Sequence, residues 1–326
     1  MTAIATSHDR REGGRWTPLQ SAKNTLIYLC ARAAIAALSP LPRRWLRAMG
    51  RALGWVAYAV LPGPRRTTHE NLARAMPALS ASERTRLARQ VYIELGSHLA
   101  DTVALLSPRH DLRVLPIEPS SRRVLDAAVA EGRGVVFISA HLGPWEAVAG
   151  SLVAAGVALT AIAREGYDAR FTKVFDRLRG KLGVQAIYRG RPGAHVGIIR
   201  TLRRGGVLGI PMDLRSRVPT ILAPFLGSPA ETAVGPARIA LRTGAEVVVG
   251  TAAPCDENGL EITVTRIETA DLGADAAGEQ VLTERINAEL SRRILEMPTA
   301  WVWMHPRFPH ARDLRLPSPD SGEGPG

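Results

Sequence analysis

Cysteine is nearly missing from this chain: its 326 residues include two, Cys30 and Cys255, far apart in sequence. That is neither a disulfide framework nor a metal-ligand cluster, and a reducing compartment is the simplest inference. No histidine stands near either thiol to activate it, so both read as small packing residues. Aromatic residues are scarce as well, at 5%. Rings for base stacking are few, and there is no zinc-finger or RNP-like motif, which weighs against nucleic acid as a partner. A nucleic-acid binder would show affinity falling steeply with salt. The chain also lacks a Gly-x-Ser-x-Gly elbow, a P-loop, a Gly-x-Gly-x-x-Gly turn after a strand and a two-histidine metal spacing on a helix.

Negative charge is in short supply: 30 Asp and Glu face 42 Lys and Arg, for a net +12. A basic surface of this size suits anionic lipid headgroups or an acidic carrier protein, while an arginine-rich proteome is the plainer source. A standard signal peptide is missing too. Residues 1–23 form a polar, basic tail, followed by an apolar stretch from Thr25 to Leu41 that Arg32 interrupts. Arg43, Arg44 and Arg47 come next, then a second apolar run from Ala52 to Leu61. A bilayer span takes about 20 mostly apolar residues, so the first stretch is barely long enough. An interfacial amphipathic anchor fits at least as well, and a buried helical hairpin is the third option.

Three polar, basic or low-complexity boundaries divide the chain. Residues 24–108 read as a helical, membrane-associating region, with Ser80 or Ser82 as the cap of a long helix to Leu106. Residues 107–120 hold three prolines and read as a linker. From 121 to 309 helices and strands alternate. Strands are expected at 134–139, 157–163, 184–188, 206–212, 246–252 and 260–267. Helices are expected at 121–131, 144–155, 169–182, 194–204, 234–243 and 279–296. This pattern predicts an α/β fold with a mostly parallel central sheet flanked by helices. Residues 223–230 read as a loop, and 310–326, rich in Pro, Gly and Ser, as a disordered tail.

Ligands of open α/β sheets bind at the carboxyl ends of the strands. Three polar residues stand at such ends: His141, Arg164 and Asp213. They suit the roles of base, anion partner and carboxylate. The sharpest local feature is Ser139-Ala140-His141-Leu142-Gly143-Pro144-Trp145-Glu146. A strand-turn-helix reading, with Pro144 opening the helix, lets His141 and Glu146 meet. A histidine oriented by a carboxylate can deprotonate a hydroxyl near neutral pH. Near the C-terminus, Trp301-Val302-Trp303-Met304-His305-Pro306-Arg307-Phe308 is either core packing or the wall of a lipid site.

Together these motifs resemble the bacterial lysophospholipid acyltransferases of lipid A biosynthesis, the late enzymes that add lauroyl or myristoyl chains. His141-x-x-x-x-Glu146 is the defining match. Support comes in order from Arg66-x-x-His69-Glu70-Asn71-Leu72, Leu202-Arg203-Arg204-Gly205, Pro211-Met212-Asp213, Pro224-Phe225-Leu226-Gly227, Gly235-Pro236-Ala237-Arg238-Ile239-Ala240 and Pro298-x-x-Trp301-Val302-Trp303-Met304-His305-x-Arg307-Phe308. The resemblance implies transfer of a fatty acyl chain from an acyl-carrier protein or acyl-CoA thioester to a hydroxyl of a glycolipid, at the cytoplasmic side of the inner membrane. It implies His141 as base, Glu146 as its orienting partner, and no metal or redox cofactor. It places an active-site arginine at Arg179, with Arg177 the runner-up, an aspartate at Asp213, and Arg164 and Arg307 among the substrate contacts. Backbone NH groups near Gly143, with Arg179 or Arg164, are the expected oxyanion donors. Leu214-Arg215 after the aspartate and Pro306 in the closing motif depart from the family pattern. Both lie where acceptor contacts are expected. A phosphatidylinositol mannoside, an ornithine lipid or another lysolipid is an alternative acceptor, and a non-catalytic lipid-binding relative is the rival class.

Overall fold

The computed structural model describes residues 15–107, 109–111, 114–255 and 259–308. The expected tail at 310–326 and most of the N-terminal tail lie outside these residues. Four helices come first: α1 (Pro18–Leu38), α2 (Arg43–Val60), α3 (Pro62–Ala75) and α4 (Ala81–Leu106). Two of them start on reciprocal capping boxes. Thr17 and Gln20 cap α1, and Ser80 with Glu83 cap α4. Each box satisfies two otherwise orphaned backbone donors.

The α/β part follows as α5 (Pro119–Ala130), β1 (Val135–Ser139), α6 (Trp145–Ala154), β2 (Leu159–Ala163), α7 (Ala169–Lys181), β3 (Gln185–Tyr188), α8 (Ala194–Arg203) and β4 (Val207–Pro211). Then come β5 (Thr220–Phe225), β6 (Ser228–Ala233), α9 (Gly235–Thr243), β7 (Glu246–Cys255), β8 (Gly259–Ile267) and α10 (Ala276–Glu296). The main sheet has six strands in the order β3-β2-β4-β1-β7-β8. All neighbours are parallel except β7 and β8. The alternation expected from the sequence is therefore present, with boundaries shifted by a few residues. Strand β1 lies between β4 and β7 and is almost wholly buried, which matches its continuous apolar run.

The segment expected as a loop at 223–230 is instead the tip of an antiparallel hairpin, β5 with β6. Two features conceal it. Pro224 and Pro229 face each other across the pair, and proline normally argues against strand. The two-residue turn is Leu226-Gly227, both at positive φ, +48° and +75°. Such turns usually advertise themselves with Asn-Gly or Asp-Gly. Leu226 accepts the strain while buried, with its N–H donating to Ser291 Oγ at 2.8 Å.

Three side chains lock the C-terminal segment onto the body. Asn71 of α3 donates to the carbonyls of Trp303 (2.8 Å) and His305 (2.9 Å). Trp303 Nε1 donates to the Pro298 carbonyl at 2.7 Å. Trp301 and Trp303 are fully buried against one another, edge to face, at 4.8 Å between ring centres. They are core. Cys30 corrects another expectation: it is exposed on α1 and not part of the buried core.

Helices α2 and α4 approach through glycine. A Cβ placed on Gly96 would sit 2.0 Å from the Gly50 carbonyl oxygen, and one on Gly54 would sit 2.1 Å from that of Tyr92. Asp101 of α4 reinforces the contact by pairing with Arg43 and Arg47, each at 2.7 Å. With this face of α2 turned inward, its opposite stripe of Trp45, Met49, Leu53, Val56 and Val60 is exposed. Among the described residues no helix is long and apolar enough to cross a membrane. We expect Gly96→Val to lower stability by about 3 kcal/mol, the upper end for overpacking against a contact that cannot yield. Gly63→Ala, where an added Cβ meets nothing, serves as the control. Thermal unfolding checks this, and equal midpoints for the two variants would contradict so close a helix contact.

Candidate active site

The site is assembled at the carboxyl edge of the two central strands. Strand β1 delivers His141 two residues beyond its end, and β4 delivers Asp213 likewise; the strands are paired, Ser139 opposite Pro211. The neighbouring strand ends therefore bring together residues that are 72 positions apart. Asp213 is fully buried and its carboxylate accepts three hydrogen bonds. The His141 backbone N–H reaches Oδ2 at 2.8 Å, His141 Nδ1 reaches Oδ1 at 3.0 Å, and Trp301 Nε1 reaches Oδ2 at 2.8 Å. A carboxylate can only accept, so the proton sits on Nδ1 and Nε2 is left with a lone pair. The His141 side chain retains 28% exposure.

Glu146 is not the partner of the imidazole ring. It lies in the first turn of α6, as expected, but Pro144 is the residue before the helix and Trp145 begins it. From there Glu146 Oε1 accepts from Arg179 Nη2 at 3.2 Å. The expectation that Glu146 orients His141 is thus corrected: Asp213 makes that contact, and Glu146 acts on the ring through charge alone. Gly143, at φ +62°, turns the chain between the two. Its N–H is already given to the Ala300 carbonyl at 3.0 Å, so this group is not a free oxyanion donor.

Helix periodicity separates the two candidate arginines of α7. Arg177 is exposed, whereas Arg179 is half-buried between Glu146, the Tyr188 hydroxyl at 3.5 Å and the Phe175 ring at 5.8 Å. Tyr188 in turn donates to Asp176. Arg164 stands exposed after β2, the strand beside β4, and makes no hydrogen bond or ion pair with His141 or Asp213. Arg307 is fully buried, contrary to the expectation of a substrate contact. It donates to the Glu231 carbonyl (2.6 Å) and Thr232 Oγ1 (2.7 Å) of β6, and lies over the Phe225 ring at 4.4 Å. Burial brings its pKa down to about 10, so it stays cationic at neutral pH.

Electrostatics tune the pair. Burial disfavours the charged imidazole of His141, but the Asp213 carboxylate, its hydrogen bond and the charge of Glu146 outweigh it and raise the pKa. Burial likewise opposes ionisation of Asp213, and His141 with Trp301 overcomes it and holds the carboxyl low. His305 differs: burial dominates and keeps its pKa low.

Two cavities of about 120 Å³ each meet at Trp145 and Glu146. One runs from His141 and Arg179 into an apolar interior of Val148, Leu152, Leu159, Ala161 and Val184. The other lies between α4 and α6, lined by Leu95, Leu99, Leu105 and Phe175. A larger, open cavity of about 470 Å³ sits at the opposite end of the strands, by Arg200 and Arg204. It contains none of the polar residues above, so the smaller pair is the better candidate despite its size.

Sequence reading missed Trp301 as the third donor to Asp213, because an indole N–H leaves no trace in a motif otherwise explained by packing. We expect the imidazole of His141, followed by NMR, to titrate above the ordinary 6.5. Asp213→Asn removes the main attraction and leaves burial opposed by the charge of Glu146 alone, so the titration should fall from its raised position. An unchanged value would show that Asp213 does not set the charge of the ring.

No curated protein matches the chain. Residues 17–310, nearly the whole sequence, match the family described as bacterial lipid A biosynthesis acyltransferase. The match spans every element that builds the site, from α1 through β1, β4 and the tryptophan pair, and the chain belongs to the bacterial lipid A biosynthesis acyltransferase family.

Proposed function

We propose that this protein moves a fatty acyl chain from an acyl-carrier protein or acyl-CoA thioester to a hydroxyl of a lipid A precursor or a similar glycolipid, with His141 as general base. The observation that carries this reading is the His141 Nδ1 contact to buried Asp213, which leaves Nε2 as proton acceptor beside an apolar cavity. Nε2 takes the proton of the acceptor hydroxyl as its oxygen attacks the thioester carbonyl. The tetrahedral adduct collapses to the ester, and the departing thiolate recovers the proton from the imidazolium. Asp213 fixes the tautomer and supports the cationic ring, in the way a buried carboxylate serves a histidine in a catalytic triad. Transfer is direct, through a ternary complex, with no covalent intermediate on the chain.

Arg179 is the donor best placed for the oxyanion, because the Gly143 N–H is engaged and Glu146 holds the guanidinium beside the base. Glu146 is then a positioning residue for Arg179. The cavity behind His141 takes the acyl chain; Ala149, Ala161 and Gly209 keep it open where larger side chains would close it. No metal or redox cofactor has a part in this chemistry. The departure at Leu214-Arg215, where Arg215 pairs with Glu231 at 2.7 Å, favours a variant acceptor as the second reading.

The exposed stripe of α2, with arginines beside it, supports docking on the cytoplasmic face of the inner membrane as an interfacial helix. Apolar side chains enter the headgroup boundary while exposed Arg44 meets anionic lipid.

His141→Ala should reduce turnover of acyl thioester and acceptor by about 10²–10⁴-fold, the range of a lost general base. Glu146→Ala should lower kcat while leaving the His141 titration above 6.5. In cells, mass spectrometry of lipids should find one acyl chain missing from lipid A on deletion, restored by the wild-type gene and not by His141→Ala. A chain missing from another glycolipid would change the acceptor. No lipid change, with no turnover by the purified protein, would leave a lipid-binding role instead. Separately, Leu53→Glu with Val56→Glu should abolish co-sedimentation with anionic vesicles without unfolding the protein; full retention would refute docking through α2.

A further inference from the structure

Most arginines on the carboxyl edge of the sheet have a carboxylate. Arg179 has Glu146, Arg170 has Asp168, Arg191 has Glu165 and Arg215 has Glu231. Arg164 and Arg189 have none among the described residues. Strand pairing sets them side by side. Ala163 of β2 is in register with Tyr188 of β3, so the next residues of the two strands are Arg164 and Arg189. The Arg189 N–H donates to the Ala163 carbonyl at 3.0 Å and keeps that register past the strand ends. Adjacent strands are about 4.8 Å apart, which holds two like charges close.

Arg189 is half-buried and already oriented: Nη1 donates to Ser216 Oγ at 2.7 Å. Ser216 lies on the segment after β4 that also carries Asp213. Burial first, and then the charge of Arg164, make the Arg189 cation harder to keep. A pair of guanidiniums under mutual repulsion, one of them partly desolvated, is an arrangement that an anion relieves. Planar forks from two arginines and a hydroxyl match the oxygens of a phosphate group.

We propose that Arg164, Arg189 and Ser216 form a phosphate-ester site on the substrate side of the catalytic pair, a reading whose ligand identity rests on the acyltransfer proposed above. The strand order β3-β2-β4-β1 places Arg164 two strands and Arg189 three strands from the strand that bears His141. That is about 10 and about 14 Å along the edge. The phosphate therefore binds away from the reacting hydroxyl and fixes the position of its molecule. The group belongs either to a phosphorylated glycolipid acceptor or to the phosphodiester of the donor arm.

The test uses the full chain with inorganic phosphate as probe, titrated by calorimetry, and then steady-state turnover. The Arg164→Ala/Arg189→Ala double variant should bind phosphate at least tenfold more weakly than wild type, while Arg200→Ala/Arg204→Ala at the far end of the strands binds as wild type does. In turnover, a tenfold rise in KM for a phosphorylated acceptor, with no change for its dephosphorylated form, assigns the phosphate to the acceptor. A rise in KM for the thioester donor alone assigns it to the donor. Equal phosphate affinity in wild type and the Arg164→Ala/Arg189→Ala variant, or equal weakening in both double variants, overturns the site. Weakened phosphate binding by a protein that transfers no acyl group under any condition keeps the site and discards the acyltransfer reading. Should loss of Arg189 prevent folding, exposed Arg164→Ala and Ser216→Ala carry the same comparison.

Discussion

Everything at the active edge depends on keeping Asp213 ionised without water. An unpaired buried carboxylate would cost far more than a single side chain can repay, and would take up a proton instead. Three donors prevent that: a backbone N–H, an imidazole N–H and an indole N–H. Each comes from a different constraint. The strand pairing of β1 with β4 supplies the first, the turn at Gly143 permits the second, and the closing segment delivers the third. The same carboxylate thus fixes the path of the main chain at His141 and the orientation of its ring. A substitution that moved either strand end would disturb both.

Around this anion the cations are sorted by what they face. Arg179 meets Glu146 and the mouth of the cavity. Arg307 is equally a guanidinium, but it is enclosed by the hairpin, where two oxygen acceptors and the face of Phe225 replace its water. A buried cation of this kind shapes the fold and helps hold Asp213 charged from a distance. Two ion pairs, His141 with Asp213 and Arg179 with Glu146, line the same cavity, one offering an imidazole lone pair and the other a guanidinium.

Much of this was legible in the sequence. The strands of the main sheet announced themselves because buried parallel strands need unbroken apolar runs, as in Val135 to Ile138 and Val247 to Gly250. His141, Arg164 and Asp213 were legible as strand-end residues for the same reason. What could not be read was which of them touch. The sheet order is not the chain order, and β4 lies beside β1 only because β2 and β3 were laid down further out. Local spacing therefore favoured Glu146 for the ring, five residues away, over Asp213. The hairpin was hidden by its two prolines and by a leucine in a glycine-like conformation. Arg307 was misplaced because a motif gives the residue type and not the depth at which it sits.

The amide of Asn71 grips the main chain 232 residues later, at Trp303. Trp301 lies just before that clasp and completes the shell of Asp213. On a ribosome, α3, β1 and β4 emerge long before either tryptophan does. Contacts between such distant parts form slowly, since a large loop must close first. The nascent chain can therefore pair its strands and still lack the third donor to Asp213. A chain cut anywhere between β4 and Trp301 would hold both strand ends and still leave Asp213 one donor short.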